Sequence, residues 1–169
     1  LTPNNPAFVT TPSGAGPRHL TFHPKGKHLY AINELKNSVS VFAHDSETGA
    51  LTIQQTIPTL PDDFTGRSHC ADLKITPNGR FLFGTNRGHD SIAAYRIGKD
   101  GRLSLLKIHP SLGKGPQNLA ITPDGKLLIC ANMAGDNVTV FRVNQRSGLI
   151  TPVGRPLVMP KPSCIMLLP

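Results

Sequence analysis

One frame recurs three times along this chain and limits what it can fold into. Aligned on a turn proline, PRHLTFHPKGKHLYAINELKNSVSVFA, CADLKITPNGRFLFGTNRGHDSIAAYR and PQNLAITPDGKLLICANMAGDNVTVFR superpose, and a fourth copy begins at KPSCIMLLP. Pro24, Pro77 and Pro123 each stand two residues before a glycine (Gly26, Gly79, Gly125). Proline presets one turn dihedral and glycine supplies a positive one, so each copy turns tightly at the same place. A short apolar run precedes the turn and a longer one follows it (HLYAIN, FLFGTN, LLICAN), both of strand length and bounded by turn residues. After a polar link comes an alternating run, SVSVF, SIAAY or NVTVF, and then a charged turn leading to a fourth run.

Four antiparallel strands in a unit of about 45 to 55 residues is the dimension of a β-propeller blade. Leucine-rich repeats are shorter, the helical period is absent, and a sandwich gives no reason for one turn to recur three times. The fold expected is all-β: three four-stranded antiparallel blades over 17–60, 70–112 and 116–158, with stray strands over 6–10 and 162–168 and helix nearly absent. Closed propellers have about four to eight blades, so the chain reads as about half a ring. It starts at Leu1 rather than at a methionine and is expected to be a piece of a longer protein. Unclosed ends leave strand edges that invite association.

Composition narrows the class further. Of 169 residues, 38% are hydrophobic and 17% charged, which fits a packed domain rather than a disordered chain. No apolar run approaches the roughly 20 residues that span a bilayer, and no membrane partner is expected. The net charge of +8 raises nucleic-acid binding. Against it, Lys and Arg are scattered singly through turns with few aromatics to stack on bases, so no nucleic-acid partner is expected. Cys70, Cys130 and Cys164 form no metal-spaced pair and are odd in number, which argues against a disulfide framework and for a reducing cytoplasm.

GPRHLTFHPKGKHLYAINE, ADLKITPNGRFLFGTNRG and GPQNLAITPDGKLLICAN, in this order and with the long PTLPDDFTG connection after the first, resemble the propeller-type 6-phosphogluconolactonase family. That family also includes the fungal carboxy-muconate cyclases. The likeness runs over nearly the whole chain. A TPDG turn occurs in many propellers; the ordered set GPRH, NE, AD and NRG carries the specificity. The resemblance implies a seven-bladed propeller of about twice this length, matched over its C-terminal half, with its active site in a central cleft lined by innermost strands. It implies Arg18, Glu34 and Arg87 as catalytic residues and hydrolysis of 6-phosphogluconolactone as the parent activity. It also implies a histidine from the preceding blade, at a position before Leu1, so the chain alone is expected to be nearly inactive. The alternatives are a lactonising isomerase of a carboxylated muconate and a non-catalytic propeller that binds a ligand or protein.

Superposing the repeats gives a separate argument. The slot six residues before the turn proline holds Arg18, Ala71 and Gln117; the next holds His19, Asp72 and Asn118; the slot after the asparagine holds Glu34, Arg87 and Met133. Scaffold positions should look alike between blades, and these do not. A propeller gathers equivalent positions around its axis, so Arg18, His19, Glu34, Asp72 and Arg87 are expected to converge. Lactone opening needs a group to take a proton from water and a cation to stabilise the oxyanion. A carboxylate or imidazole serves the first need, and arginine the second, besides gripping a phosphate or carboxylate. His19, Asp72, His69 and Asn86 complete the set as substrate-binding residues. Two of these have competing readings. Strand alternation should turn Arg18 and His19 to opposite faces, and Asp72 also suits a buried carboxylate bonding a neighbouring blade. No metal-ligand spacing, phosphate loop or nucleophile elbow is legible, and no cofactor is expected. The partners expected are an anionic small molecule and either the absent N-terminal half or a second copy.

Overall fold

The computed structural model describes residues 2–168. Three antiparallel meanders follow one another along the chain. The first comprises β1 (Pro17–Phe22), β2 (His28–Asn33), β3 (Ser38–His44) and β4 (Leu51–Pro58). The second comprises β5 (His69–Ile75), β6 (Phe81–Arg87), β7 (Ser91–Ile97) and β8 (Leu103–Pro110). The third runs through β9 (Pro116–Ile121), β10 (Leu127–Asn132) and β11 (Asn137–Val143) to an outer edge split into β12 (Ile150–Pro152) and β13 (Leu157–Val158). Both edge pieces pair with β11; Gly154, at φ 67°, and Pro156 interrupt the ladder between them. A single 3-10 turn, Met133–Gly135, is the one helical element among the described residues.

The blades stack through two apolar layers. Tyr30, Ile32, Val39 and Val41 of the first meet Leu73, Leu82, Ala93 and Tyr95 of the second. Phe81, Phe83, Ile92 and Ala94 meet Leu119, Leu128, Phe141 and Val143 of the third. Alternation along β2 and β6 supplies one face to each neighbour, as a sheet covered on both sides requires. Gly84 keeps the approach of blade one close, since a Cβ there would lie 3.1 Å from the Ile32 Cδ1.

The two terminal segments depart from the strands expected of them. Residues 6–10 form no ladder; Val9 instead packs on Leu29, Ala31 and Phe42, the face of blade one turned away from blade two. Residues 162–168 are also without a ladder. A strand needs a partner for its N–H and C=O groups, and no described strand stands beside either segment to supply one. The tail is nevertheless registered. The Ile165 amide donates to Asn118 Oδ1 at 2.8 Å, a separation of 47 residues, the same spacing at which the Leu119 amide donates to Asp72 Oδ2 at 2.9 Å. Ile165 thus holds the position toward blade three that Leu119 holds toward blade two.

Candidate active site

The site forms where the inner strands begin, at an irregularity repeated in each blade. The β1–β2 register skips Arg18, the β5–β6 register breaks between Cys70 and Leu73, and the β9–β10 register skips Gln117. A bulge adds a residue to one strand and re-aims side chains around it. Strict alternation therefore fails here: Arg18 and His19, expected on opposite faces, lie side by side, with Arg18 Nη1 3.2 Å from His19 Nε2.

A link of three or four residues follows each second strand, and the third slot stands where the strand passes into it. Asn37, Asp90 and Asp136 occupy equivalent places in these links at φ 44°, 55° and 49°. Asparagine and aspartate tolerate this left-handed region better than other side chains. Asp90 Oδ1 accepts from the amides of Gly88 and Gly115 (3.2 and 2.8 Å), fastening the link that follows Arg87 to the entry of blade three.

Glu34, Arg18 and Arg87 come together across the boundary between blades one and two. Glu34 Oε2 lies 3.5 Å from Arg18 Nε, and Glu34 Oε1 accepts from Arg87 Nη2. All three side chains are part-exposed. Each guanidinium is also fixed by backbone: Arg18 Nη1 donates to the Ala71 carbonyl at 2.6 Å, and Arg87 Nη2 to the Cys70 carbonyl at 3.1 Å. Arg87 Nη1 reaches the third blade, donating to Gln117 Oε1 at 3.3 Å. Fixed guanidiniums keep their remaining N–H groups aimed without further loss of side-chain entropy.

His19 joins this cluster to a buried carboxylate. Its Nδ1 is 2.9 Å from Asp72 Oδ1 while Arg18 faces its Nε2. A carboxylate only accepts and a guanidinium only donates, so these partners fit the neutral ring with its proton on Nδ1. Asp72 lies at the centre of the blade junction, its side chain 1% exposed. Lys74 Nζ donates to both of its oxygens (2.9 and 2.8 Å), and Asn118 Nδ2 and the Leu73 and Leu119 amides donate as well. Burial pushes this carboxyl up, but the Lys74 ammonium, the Leu119 amide and His19 outweigh it and hold it below the ordinary aspartate value. Of the two readings the sequence left for Asp72, this geometry favours the joint between blades over a direct contact with substrate.

Asn86 is likewise interior rather than cleft-facing. It is fully buried, and its Nδ2 donates to the Thr59 carbonyl (2.8 Å) and Ser91 Oγ (3.0 Å). Asn33 and Asn132 serve the same purpose in their blades, tying each link to the start of the next strand. These asparagines position the slot that follows them. The Cys70 thiol, beside Asn86, is buried and pushed up to about 12 by that burial, so it is no thiolate nucleophile at neutral pH.

His69 opens onto an adjoining cleft of about 440 Å³, lined by Arg67, His69, Arg87, Asp90, Lys114 and Met133, among others. Its Nδ1 is buried without a hydrogen-bond partner. Arg87 belongs to both groupings, pairing with Glu34 on one side and lining the cleft on the other. Three cations, Arg67, Arg87 and Lys114, therefore face one opening, an arrangement that favours an anionic ligand. Arg67, Lys114 and Gln117 were not singled out from the sequence. Gln117 stands in the same slot as Arg18, whereas Arg67 and Lys114 lie in loops outside the repeated frame. No group of three or more His, Cys, Asp or Glu is placed to hold a metal ion among the described residues.

A family model described as a lactonase, seven-bladed β-propeller, matches residues 1–167. The chain is 44% identical over 112 residues to the 6-phosphogluconolactonase of Serratia proteamaculans, covering 66% of this chain and 34% of that protein. It is 38% identical over 109 residues to the protein of that name from Yersinia pestis, covering 64% and 33%. Among solved structures it superposes on a periplasmic gluconolactonase of Pseudomonas aeruginosa with a TM-score of 0.89 at 33% identity, covering 95% of this chain and 45% of that one. A putative 6-phosphogluconolactonase from Bacteroides fragilis gives 0.88 at 30% identity, covering 96% and 45%. The match spans about a third of the curated relatives and under half of the solved neighbours.

Proposed function

The chain belongs to the lactonase family of seven-bladed β-propellers, and from that premise we propose that it supplies part of the active site of an enzyme hydrolysing 6-phosphogluconolactone to 6-phosphogluconate. The observation that carries this reading is the Glu34 carboxylate held between Arg18 and Arg87 beside a cation-lined cleft. Water adds to the lactone carbonyl carbon, and the carbonyl oxygen becomes an oxyanion. Arg18 or Arg87 stabilises that charge, and Glu34 takes the proton from the attacking water. The ring C–O bond then breaks, the proton held by Glu34 passes to the departing alkoxide to give a hydroxyl, and the new carboxylic acid releases its own proton to solvent as carboxylate. Arg67 and Lys114 at the cleft mouth suit the substrate phosphate.

The proposed partner is a further set of blades. Leu73 and Leu119, buried at 1% and 0%, are covered by the preceding blade, whereas the equivalent Leu20 is 63% exposed and Phe22 48%. We assign the covering of that face to preceding blades of the same enzyme, with a second copy of the chain as the alternative. Cytoplasmic placement rests on three cysteines that form no disulfide, and differs from that of the Pseudomonas relative, whose name places it in the periplasm. No helix among the described residues is long and apolar enough to cross a membrane.

The test is turnover of 6-phosphogluconolactone and of a carboxylated muconate by the ring completed with its preceding blades. Acceleration of the first alone supports the proposal. Acceleration of the second alone assigns the site to lactonising isomerisation, and inactivity of a folded ring toward both overturns an enzymatic reading.

A further inference from the structure

The excess positive charge of the sequence looked dispersed because its lysines and arginines sit singly in turns. The fold collects part of it. At the end of blades one and two opposite the Glu34 cluster, the β1–β2, β5–β6 and β7–β8 turns surround a cleft of about 490 Å³. Lys25, Lys27, Arg80, Arg96, Lys99 and His28 line it, and no Asp or Glu does. None of those lysines and arginines makes an ion pair among the described residues; the neighbouring Asp100 pairs with Arg102 instead (3.7 Å). We propose that this cleft is a binding site for a small polyphosphate, either free or carried on a nucleotide.

The geometry favours binding over a merely solvated face. Arg80 and Arg96 are fixed, both over the Phe81 ring at 5.5 and 5.2 Å from its centroid. Each donates to a blade-three turn carbonyl, Arg80 Nη1 to Gln145 at 3.1 Å and Arg96 Nη2 to Ser147 at 3.5 Å. Both thus line the cleft with side chains held at the seam with blade three, while the three exposed lysines are mobile point charges able to close around an anion. Several like charges at one opening repel unless a counterion is held there, and that repulsion favours a multivalent anion over a single phosphate. His28, under the same opening, is held below the ordinary histidine value by burial and by His23. The site is separate from the catalytic cluster, because strands of six and seven residues put roughly 20 Å between the two ends.

Titration calorimetry of the purified protein with tripolyphosphate, ATP, AMP and orthophosphate, at about 50 and 200 mM salt, tests this. Tripolyphosphate and ATP are expected to bind at least ten-fold more tightly than AMP and orthophosphate, and to weaken several-fold at the higher salt. Equal affinity for the first two identifies the phosphate chain alone as the ligand; tighter ATP binding adds the nucleoside. Lys25→Glu, Lys27→Glu and Lys99→Glu together are expected to reduce tripolyphosphate affinity at least thirty-fold without altering the circular dichroism spectrum, and Arg87→Ala to leave it within two-fold. Absence of saturable binding up to several millimolar overturns the proposal. So does binding unchanged by the triple charge reversal, or a short DNA oligonucleotide that outcompetes tripolyphosphate at equal phosphate concentration.

Discussion

The Asp72 carboxylate accepts the backbone N–H of Leu119 from the next blade at 2.9 Å. One buried side chain thereby ties an inner strand to its neighbour, with Lys74, His19 and Asn118 closing the remaining positions around it. Removing one member of a buried charged set costs about 3–5 kcal/mol, because its partners are left unpaired. Asp72→Ala is expected to lose an amount of this order in urea unfolding at pH 7. Asp72→Asn is expected to lose less, since Asn118 makes the equivalent bond to Ile165.

Acid stability follows from the same carboxyl. Its value in the folded protein lies below the 3.8 of an unperturbed aspartate, so the unfolded chain binds the extra proton first. The stabilisation is complete above about pH 4 and is lost as pH falls through the lower folded value. Urea midpoints of the parent are expected to fall over that window, and those of Asp72→Asn to fall less. An identical acid limb in both proteins would show that another group governs it.

The blade repeat was legible because proline and glycine fix turn dihedrals locally, and because β2, β6 and β10 alternate faces. Glu34 and Arg87 could be placed on one wall for the same reason, both standing in the slot after the asparagine. The bulge at Arg18, Ala71 and Gln117 was not legible. Register belongs to pairs of strands, and nothing in PRHL or PQNL alone marks which residue is skipped. The sequence offers Asn86 as substrate-binding and leaves Asp72 between substrate and blade junction, because the direction of each depends on what fills that junction. The broken outer edge of blade three was missed although Gly154 and Pro156 were visible, because the apolar runs on either side have strand character.

Thiol reactivity separates the three cysteines. Cys70 and Cys130 are buried, their thiols pushed up to about 12 by that burial, while Cys164 is exposed. Thiol–disulfide exchange requires thiolate and access. Ellman's reagent is expected to titrate one thiol per folded chain rapidly and the other two only after unfolding. Three rapid equivalents in a protein with a native circular dichroism spectrum would contradict this burial.

Glu34 and its arginines are expected to behave as a unit in the completed ring. Glu34→Gln keeps the shape but neutralises the charge between two guanidiniums, and is expected to lower kcat by about 10²-fold or more. Arg87→Lys retains charge yet cannot reach Glu34, Gln117 and the Cys70 carbonyl together, so its kcat/KM should fall nearly as far as that of Arg87→Ala. Steady-state kinetics on the lactone measures both; a near-normal lysine variant would show that one point charge suffices.

Leu20 and Leu73 hold the same slot in adjacent blades but differ in cover, at 63% and 1% exposure. Truncating a fully buried leucine costs about 2–5 kcal/mol, so Leu73→Ala is expected to lower the unfolding midpoint sharply. Leu20→Ala should change the isolated chain by about 0.5 kcal/mol or less, as surface substitutions do. The uncovered face, with Phe22 at 48% exposure beside it, should instead make the chain associate, because contiguous apolar surface next to an open strand edge recruits a partner. Light scattering is expected to show the parent above monomer mass at micromolar concentration, and Leu20→Asp with Phe22→Asp to shift it toward monomer. The same open side leaves the site unshielded from water, which weakens charge stabilisation of a transition state. Lactonase turnover by the chain alone is therefore expected to stay near the spontaneous rate and to rise when preceding blades are supplied. Full turnover by a monomer of the double variant would show that these three blades suffice for catalysis.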